Sequence, residues 1–340
     1  VAQTAPESAE RNDFQDFVAV SSGKVLSLFG YNLFQNVPST FAPVENIPVT
    51  SDYVIGPGDE LHIRAWGQID VDYRAVVDRN GSITVPRVGA VSVAGIRYQD
   101  LTGYVKTALS RDFRNFELIV TLGNLRSIQI FVVGKARRPG TYTISSLSTL
   151  VNAIFAAGGP STSGSMRSIQ VKRGNRTVAD IDLYDLLLYG DKSKDTPLLP
   201  GDVLYFPPSG PLAAVAGSVK TPAIFELKGD VRIEKLIEWA GGLTTTAQTR
   251  LATIERIESR RTRVVDNFSL DQAGLARSIK DGDLVTVFSI SPKFDNAVTL
   301  RGNVAAPLRY PYRGGMRVRD LIPEKEALIT PDYYLKKNLA

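Results

Sequence analysis

The sequence contains no cysteine and only one histidine, His62. Without cysteine the chain can form no disulfide, no thiolate metal site and no cysteine nucleophile. With a single histidine, a typical zinc site would need mainly carboxylate ligands, and a Ser-His-Asp triad would depend on His62 alone. His62 falls on the polar phase of a predicted strand, so we expect its side chain to face solvent. We therefore predict no metal site and no cofactor.

Long apolar runs, strong charge and catalytic motifs are also missing. No apolar run approaches the roughly 18–20 residues that cross a bilayer as a helix. The net charge of +5 is small for 340 residues, and Lys and Arg are scattered, so we do not expect nucleic acid as a partner. No Walker A, H-E-x-x-H or G-x-S-x-G pattern occurs. Carboxylate pairs such as Asp180 and Asp182 lie on polar strand faces, and nothing brings two of them across a cleft. We predict that the protein is not an enzyme.

What the sequence does contain is an internal repeat. A Gly is followed five residues later by a Pro, and the Pro three residues later by an aromatic residue. The three copies are Gly134, Pro139 and Tyr142; Gly217, Pro222 and Phe225; and Gly302, Pro307 and Tyr310. The prolines are 83 and 85 residues apart. A constant period of this length indicates tandem structural modules.

Each copy also carries a short apolar helical stripe at the same distance from its proline. The stripes are Leu150, Ala153 and Ile154; Ile233, Leu236 and Ile237; and Val318, Leu321 and Ile322. Gly pairs at 158–159 and 241–242 predict left-handed helix ends in the first two copies. Further strands and a Gly-Asp turn follow, at 200–206 and 281–288. The pattern predicts small β-grasp-like modules, and we expect each stripe to form the core of its own module.

The third copy departs from the first two after its stripe. Pro323 stops its helix early, and no later strands or final Gly-Asp turn follow before Ala340. A hairpin and one helical turn are too small to form a core alone. We therefore expect the natural protein to continue with the rest of a third module.

A different pattern precedes the repeats. The stretch "YVIGPGDELHIRAWG" begins at Tyr53 and contains the tight turn Gly56-Pro57-Gly58-Asp59. Apolar and polar residues then alternate as in a half-buried strand. Asn80-Gly81 predicts a hairpin turn between two further strands, and a helix is expected from Tyr98. Residues 1–50 are expected to be an extension that ends as a linker, with a short helix near residues 13–20.

The turn, the hairpin "DRNGSITVPRVG" and the helix from Tyr98 resemble the polysaccharide export domain of bacterial outer-membrane capsule and exopolysaccharide export proteins. The repeats resemble the soluble-ligand-binding β-grasp (SLBB) modules that follow that domain in the same family. The resemblance covers about residues 50–335 and implies an α+β fold, with a mixed sheet and one main helix in the export domain. The expected boundaries are 1–50 for the extension, 51–125 for the export domain, 126–208 and 209–291 for two repeats, and 292–340 for a partial third repeat.

The resemblance implies a non-enzymatic role in the periplasm, associated with the outer membrane. Members of this family self-associate into rings that guide capsular polysaccharide or exopolysaccharide out of the cell, and they dock on an inner-membrane copolymerase. Many also carry an acylated N-terminal Cys and a C-terminal membrane-crossing helix, and the sequence supplies neither. Two alternatives stay open: a periplasmic carbohydrate-binding or scaffold protein that forms no conduit, and a β-grasp binder of a small soluble ligand.

Candidate site residues follow from the motif and from the substrate that the resemblance implies. The family-motif turn is Gly56, Pro57, Gly58 and Asp59. Because exported capsules are often acidic, a basic surface would suit them, and the candidates are Arg111, Arg114, Lys135, Arg137 and Arg138. Sugar rings stack on exposed aromatics, for which Trp66, Trp239, Tyr184 and Tyr189 are available. Trp66 and Trp239 lie beside core positions, so we expect both to be packed.

Overall fold

The computed structural model describes residues 11–34, 49–67, 70–259, 261–291, 294–301 and 309–322. The chain divides into two compact units, and the second begins at Ser289. The α+β class is confirmed, because short helices alternate with several separate sheets. The expectations for Gly302, Pro307 and Pro323 lie outside the described residues.

Within the first compact unit, the described residues of 51–125 form a small sheet, a hairpin and one helix. We call residues 51–125 the N-terminal unit. The elements are β1 (Glu60–Gly67), β2 (Val71–Val76), β3 (Ser82–Val85), β4 (Gly89–Ser92), α1 (Tyr98–Leu109) and β5 (Phe116–Leu122). β1 lies between β2 and β5 in an antiparallel sheet, whereas β3 pairs only with β4. The Asn80-Gly81 turn therefore joins β2 to β3, which are not ladder partners. α1 buries Leu101, Val105 and Leu109 against the sheet.

The two repeats have the same architecture. The first contains β6 (Ser127–Gly134), β7 (Gly140–Ser145), α2 (Leu150–Ala156), β8 (Ile169–Arg173), β9 (Arg176–Ile181), α3 (Leu183–Tyr189) and β10 (Val203–Phe206). The second contains β11 (Leu212–Gly217), β12 (Ala223–Glu226), α4 (Ile233–Trp239), β13 (Ala247–Glu258), β14 (Thr262–Phe268), α5 (Gln272–Leu275) and β15 (Leu284–Ser289). The strand orders, β7-β6-β10-β8-β9 and β12-β11-β15-β13-β14, are equivalent. In each sheet the last strand runs parallel to the first, so these sheets are mixed.

Helix α3 was not expected from the sequence. Its N-cap Asp182 accepts a hydrogen bond from the Tyr184 N–H, and Gly190 ends it in the left-handed conformation. These are ordinary start and stop signals. The helix spans only seven residues, and its apolar residues directly follow those of β9. A segment this short gives little periodic signal.

The expectation that each repeat has its own core is wrong. The buried stripe residues Leu150 and Ile233 belong to one continuous cluster that extends through both repeats. Tyr184 of α3 is one reason, because its ring lies 5.7 Å from that of Trp239 and 6.5 Å from that of Phe225. Both of these residues belong to the second repeat. The aromatic contacts therefore join the repeats into one packed body.

The N-terminal segment, residues 11–34, packs on this body. The linker expected at the end of residues 1–50 falls almost entirely outside the described residues. The expected short helix is present as Asp13–Ser22, hereafter the N-terminal helix, and a capping box between Asn12 and Gln15 starts it. Val18, Leu26 and Leu28 then pack against the second repeat. Leu28 also forms a parallel bridge with Ile224 on the edge strand β12.

The same segment also reaches the first repeat. Asn12 Nδ2 donates to the Thr162 carbonyl (3.2 Å), and the Tyr31 hydroxyl lies 2.8 Å from the Gly164 carbonyl oxygen. Phe34 packs on Phe155. The segment therefore spans both repeats, which the irregular spacing of its aromatic residues did not reveal.

The second compact unit contains the described part of the third copy. β16 (Ala297–Thr299) pairs antiparallel with β17 (Arg309–Pro311), so that Val298 lies opposite Tyr310. The short helix Val318–Leu321 follows, and none of its residues is buried. The hairpin and the helix thus occur in the order seen in the other copies.

Candidate functional site

The family-motif turn places a buried carboxylate where the N-terminal unit meets the first repeat. The Asp59 N–H donates to the Gly56 carbonyl (3.2 Å), and Gly58 adopts a φ of 96°, which favours glycine. The Asp59 carboxylate is fully buried. It accepts hydrogen bonds from the Gly56 N–H (2.9 Å) and from the Tyr53 hydroxyl (2.8 Å).

This carboxylate also binds the first residue of the first repeat. The Arg126 N–H donates to Asp59 Oδ1 (3.0 Å), and Arg126 Nη1 donates to Oδ2 (2.6 Å). The Tyr53 hydroxyl also lies 3.0 Å from Ser146 Oγ in the first repeat. We call Tyr53, Gly56, Asp59, Arg126 and Ser146 the junction site, because they join the N-terminal unit to the first repeat.

The junction site changes the acidity of its tyrosine. Burial raises the pKa of Tyr53 to about 12, and the negative charge of Asp59 acts in the same direction. The neutral hydroxyl therefore persists at physiological pH and keeps donating to the carboxylate.

The same carboxylate arrangement recurs in each repeat. Asp202 accepts from Arg173 Nε (2.8 Å) and from the Leu199 N–H (2.8 Å). Asp283 accepts from Arg256 Nε (2.8 Å) and from the Lys280 N–H (2.7 Å). The sequence predicted the Gly-Asp turns but missed the arginines. A signal was available, because Arg173 and Arg256 are 83 residues apart, which is the period of the repeat.

These three carboxylates hold strands together and carry paired charges. In the described part of the chain, no cluster of three or more His, Cys, Asp or Glu residues could hold a metal ion. His62 is half-buried on β1 and hydrogen bonds to Asp72, and this bond lowers the pKa of Asp72. Its partner is thus a neighbouring strand residue on the outer face of the sheet.

The structure places all five candidate basic residues on the surface. Lys135, Arg137 and Arg138 form what we call the basic turn, between β6 and β7. Arg138 Nη2 donates to the Ala156 carbonyl (3.0 Å) at the end of α2. Lys135 and Arg137 make no ion pair with any residue that the structure describes. Arg111 and Arg114 follow α1 in the N-terminal unit, and among the described contacts none connects them to the basic turn.

The four candidate aromatic residues divide into two groups. Trp239 and Tyr184 are buried, and the Arg167 guanidinium lies over both rings, 4.8 and 4.5 Å from their centroids. Trp239 is packed as expected. Trp66 is not, because its side chain is 49% exposed. It lies on the outward phase of β1, on the same face as the exposed Arg64. Tyr189 is also exposed, and its hydroxyl binds Lys235 and Glu238.

Comparison with known families identifies the domains. A family described as polysaccharide biosynthesis/export protein matches residues 47–123. Two families described as SLBB domain match later parts of the chain, one at residues 129–206 and the other at 212–265 and 297–324. The expected membership of the polysaccharide export family is confirmed.

Three similar proteins have names that refer to polysaccharide export or polysialic acid transport. The polysialic acid transport protein KpsD of Escherichia coli is 30% identical over 63% of this chain and 38% of its own length. The EPS I polysaccharide export outer membrane protein EpsA of Ralstonia solanacearum is 25% identical over 59% of this chain and 62% of its own. The capsule polysaccharide export protein BexD of Haemophilus influenzae is 26% identical over 38% of this chain and 32% of its own.

The chain spans less than two thirds of the length of these relatives, from 32% to 62%. No helix among the described residues has the length and apolar character needed to span a membrane.

Proposed function

Because the chain belongs to the polysaccharide export family and combines an export domain with SLBB domains, we propose that it is the periplasmic part of an outer-membrane polysaccharide export conduit. Copies of the chain associate into a ring, and capsular polysaccharide or exopolysaccharide passes through it. An inner-membrane copolymerase docks on the ring. The observation that carries the proposal is the order of the domains, together with the names of three relatives, one a polysialic acid transport protein and two polysaccharide export proteins.

The proposed role is mechanical and not enzymatic. The buried carboxylates of the described residues are engaged in hydrogen bonds or ion pairs, which suits a rigid scaffold more than acid–base chemistry. We propose that this scaffold consists of four units with the expected boundaries: 51–125, 126–208, 209–291 and 292–340.

The basic turn is our first candidate for a polysaccharide-facing surface. Lys135 and Arg137 are exposed and form no ion pair with another described residue, so we propose them as contacts for a carboxylated sugar. The second repeat is less basic at the same place, with Ser218, Lys220 and Thr221 in the equivalent positions. The difference favours a role for this turn that the second repeat does not share. Arg111 and Arg114 form a second candidate patch.

Export by cells that carry variants of the natural protein tests this proposal. Lys135→Gln with Arg137→Gln should reduce surface polysaccharide while the protein level stays unchanged. The matched control is Lys220→Gln at the equivalent turn of the second repeat, which should export normally. Normal export by the double variant would remove the basic turn from the proposal. Normal export by cells that lack the protein would contradict the proposed function itself.

The second candidate function is a carbohydrate-binding or scaffold protein without a conduit. The half-exposed Trp66, which makes no ring contact with another described residue, favours it. Imaging of the natural protein in a membrane mimetic separates the two functions. Closed rings support the conduit, and persistent monomers that bind glycans support this alternative.

A further inference from the structure

The two repeats have the same architecture, but one surface is exposed in the first repeat and the equivalent surface is covered in the second. Each repeat sheet has an inner face against the shared core and an outer face. In the second repeat the outer face carries Ala214, Ala216, Ile224 and Leu284, which are all buried. Val18, Leu26 and Leu28 of the N-terminal segment cover it. A protein segment therefore covers this face.

The first repeat presents the equivalent face without that cover. Phe131 and Val133 lie 83 residues before Ala214 and Ala216, and their side chains are 41% and 39% exposed. Parallel pairing places Val203 beside Phe131 and Tyr205 beside Val133, just as Leu284 pairs with Ala214 in the second repeat. We call Phe131, Val133, Val203 and Tyr205 the open face.

The residues of the open face differ in size from their counterparts. Ala214 and Ala216 are small, and the N-terminal helix approaches the sheet over them. Phe131 and Val133 project further, so a helix could not approach at the same distance. Lys172 Nζ lies 4.5 Å from the centre of the Tyr205 ring and borders the apolar residues with a cation. An aromatic and aliphatic centre with a charged border is typical of a protein interface.

We propose that the open face binds a second copy of this chain. This inference rests on the self-association in the proposed function and specifies its surface. The chain has one N-terminal segment, and that segment lies on the second repeat. No other described segment of the first compact unit packs on the open face, which leaves Phe131 and Val133 available to another molecule. In the proposed ring the open face of one copy meets a different region of the next copy. This contact is head-to-tail, and such contacts form a ring when the rotation between neighbouring copies closes.

Site-specific photocrosslinking in cells tests which molecule covers the face. Phe131 is replaced by p-benzoylphenylalanine in the natural protein, and a second copy with a different epitope tag is co-expressed. The expected product contains both tags. The control position is Val265, an exposed residue of β14 in the second repeat, where we expect at least tenfold less two-tag product. Crosslinks within one chain, to another protein, or equal to those of the control would overturn the proposal.

A charge variant provides the second test. Phe131→Glu should weaken self-association of the purified natural protein at least tenfold by mass photometry and leave its melting temperature within a few degrees. Val265→Glu is the control and should associate normally. Unchanged association of Phe131→Glu would refute the open face but leave the conduit standing. Closed dimers that need Phe131 would instead support the open face and contradict the ring.

Discussion

Asp59 is the residue whose replacement most directly tests the junction site. Asp59→Asn removes the charge that Arg126 faces and weakens the hydrogen bonds from Tyr53 and Gly56. Breaking a buried ion pair from one side costs about 3–5 kcal/mol, and we expect about 3 kcal/mol because the Arg126 side chain is 24% exposed. Urea unfolding measures the loss of stability.

Asp72→Asn is the control for this experiment, since Asp72 is also a paired carboxylate of the same unit but is exposed. Surface ion pairs contribute about 0–1 kcal/mol, so its unfolding free energy should change little. Equal effects of the two substitutions would contradict a special role for the motif turn.

Tyr53 should make the junction sensitive to alkaline pH. Its pKa is raised from 10.0 to about 12 in the folded protein, mainly by burial. The folded state therefore holds the phenolic proton more tightly than the unfolded state. The resulting stabilisation is fully present below pH 10 and is lost as the pH rises from 10 to about 12. Tyr53→Phe should reduce the fall in unfolding free energy between pH 9 and pH 11.5.

Tyr31 and Tyr184 also have raised pKa values, chiefly because they are buried. They are present in both the parent protein and the Tyr53→Phe variant, so the difference between the two pH profiles isolates Tyr53. Parallel profiles would show that Tyr53 ionises as freely in the folded chain as in the unfolded one.

At the scale of single elements, the recurring glycine of each repeat has a steric explanation. Gly134 and Gly217 adopt φ values of 83° and 84°, and an added Cβ would collide with the carbonyl oxygens of Phe206 and Val287. Gly134→Ala and Gly217→Ala should each cost more than the roughly 1 kcal/mol of an unfavourable backbone conformation. Thermal unfolding measures both losses.

Gly174→Ala is the matched control, because Gly174 also has a positive φ of 56° but no atom lies within 4 Å of its added Cβ. It should cost only the backbone term. If all three substitutions cost the same, close packing between the first and last strands of each repeat would not explain why this glycine recurs in both repeats.

Most elements of the repeats were predictable, because turn glycines and helical stripes are local patterns. The 83-residue spacing of Pro139 and Pro222 fixed the module length, and the stripes at Leu150 and Ile233 fixed the helices. Contacts between distant residues were not predictable in this way. Arg126 binds Asp59 across 67 positions of the sequence, and Leu28 pairs with Ile224. Neither contact leaves a periodic signal.

The candidate site was predictable only in part, for the same reason. The turn at Gly56–Asp59 was recognised from its residues, but the burial of Asp59 depends on Arg126 and Tyr53. Trp66 was expected to be packed because its neighbours on β1 are apolar. Its exposure depends on which face of the sheet packs into the core with α1, and that is a property of the tertiary structure.

At the scale of the whole molecule, the shared core predicts that the two repeats unfold together. Leu150 of α2 and Ile233 of α4 are equivalent, fully buried members of one cluster. Leu150→Ala should cost about 2–5 kcal/mol, as other large-to-small core substitutions do. Because Tyr184, Trp239 and the N-terminal segment join the repeats, this loss should lower the stability of both.

Hydrogen exchange of peptides from α2 and α4 measures each repeat separately. We expect the exchange of both peptides to accelerate by a similar factor in Leu150→Ala and again in Ile233→Ala. Independent modules would give the opposite result, with α4 still protected when Leu150 is truncated and α2 still protected when Ile233 is truncated.

The N-terminal segment should contribute to the coupling, since Leu28→Asp breaks its contact with the second repeat without touching the core between the repeats. A smaller but joint acceleration in that variant would identify the segment as part of the same cooperative unit, whereas acceleration of α4 alone would limit its role to covering the second repeat.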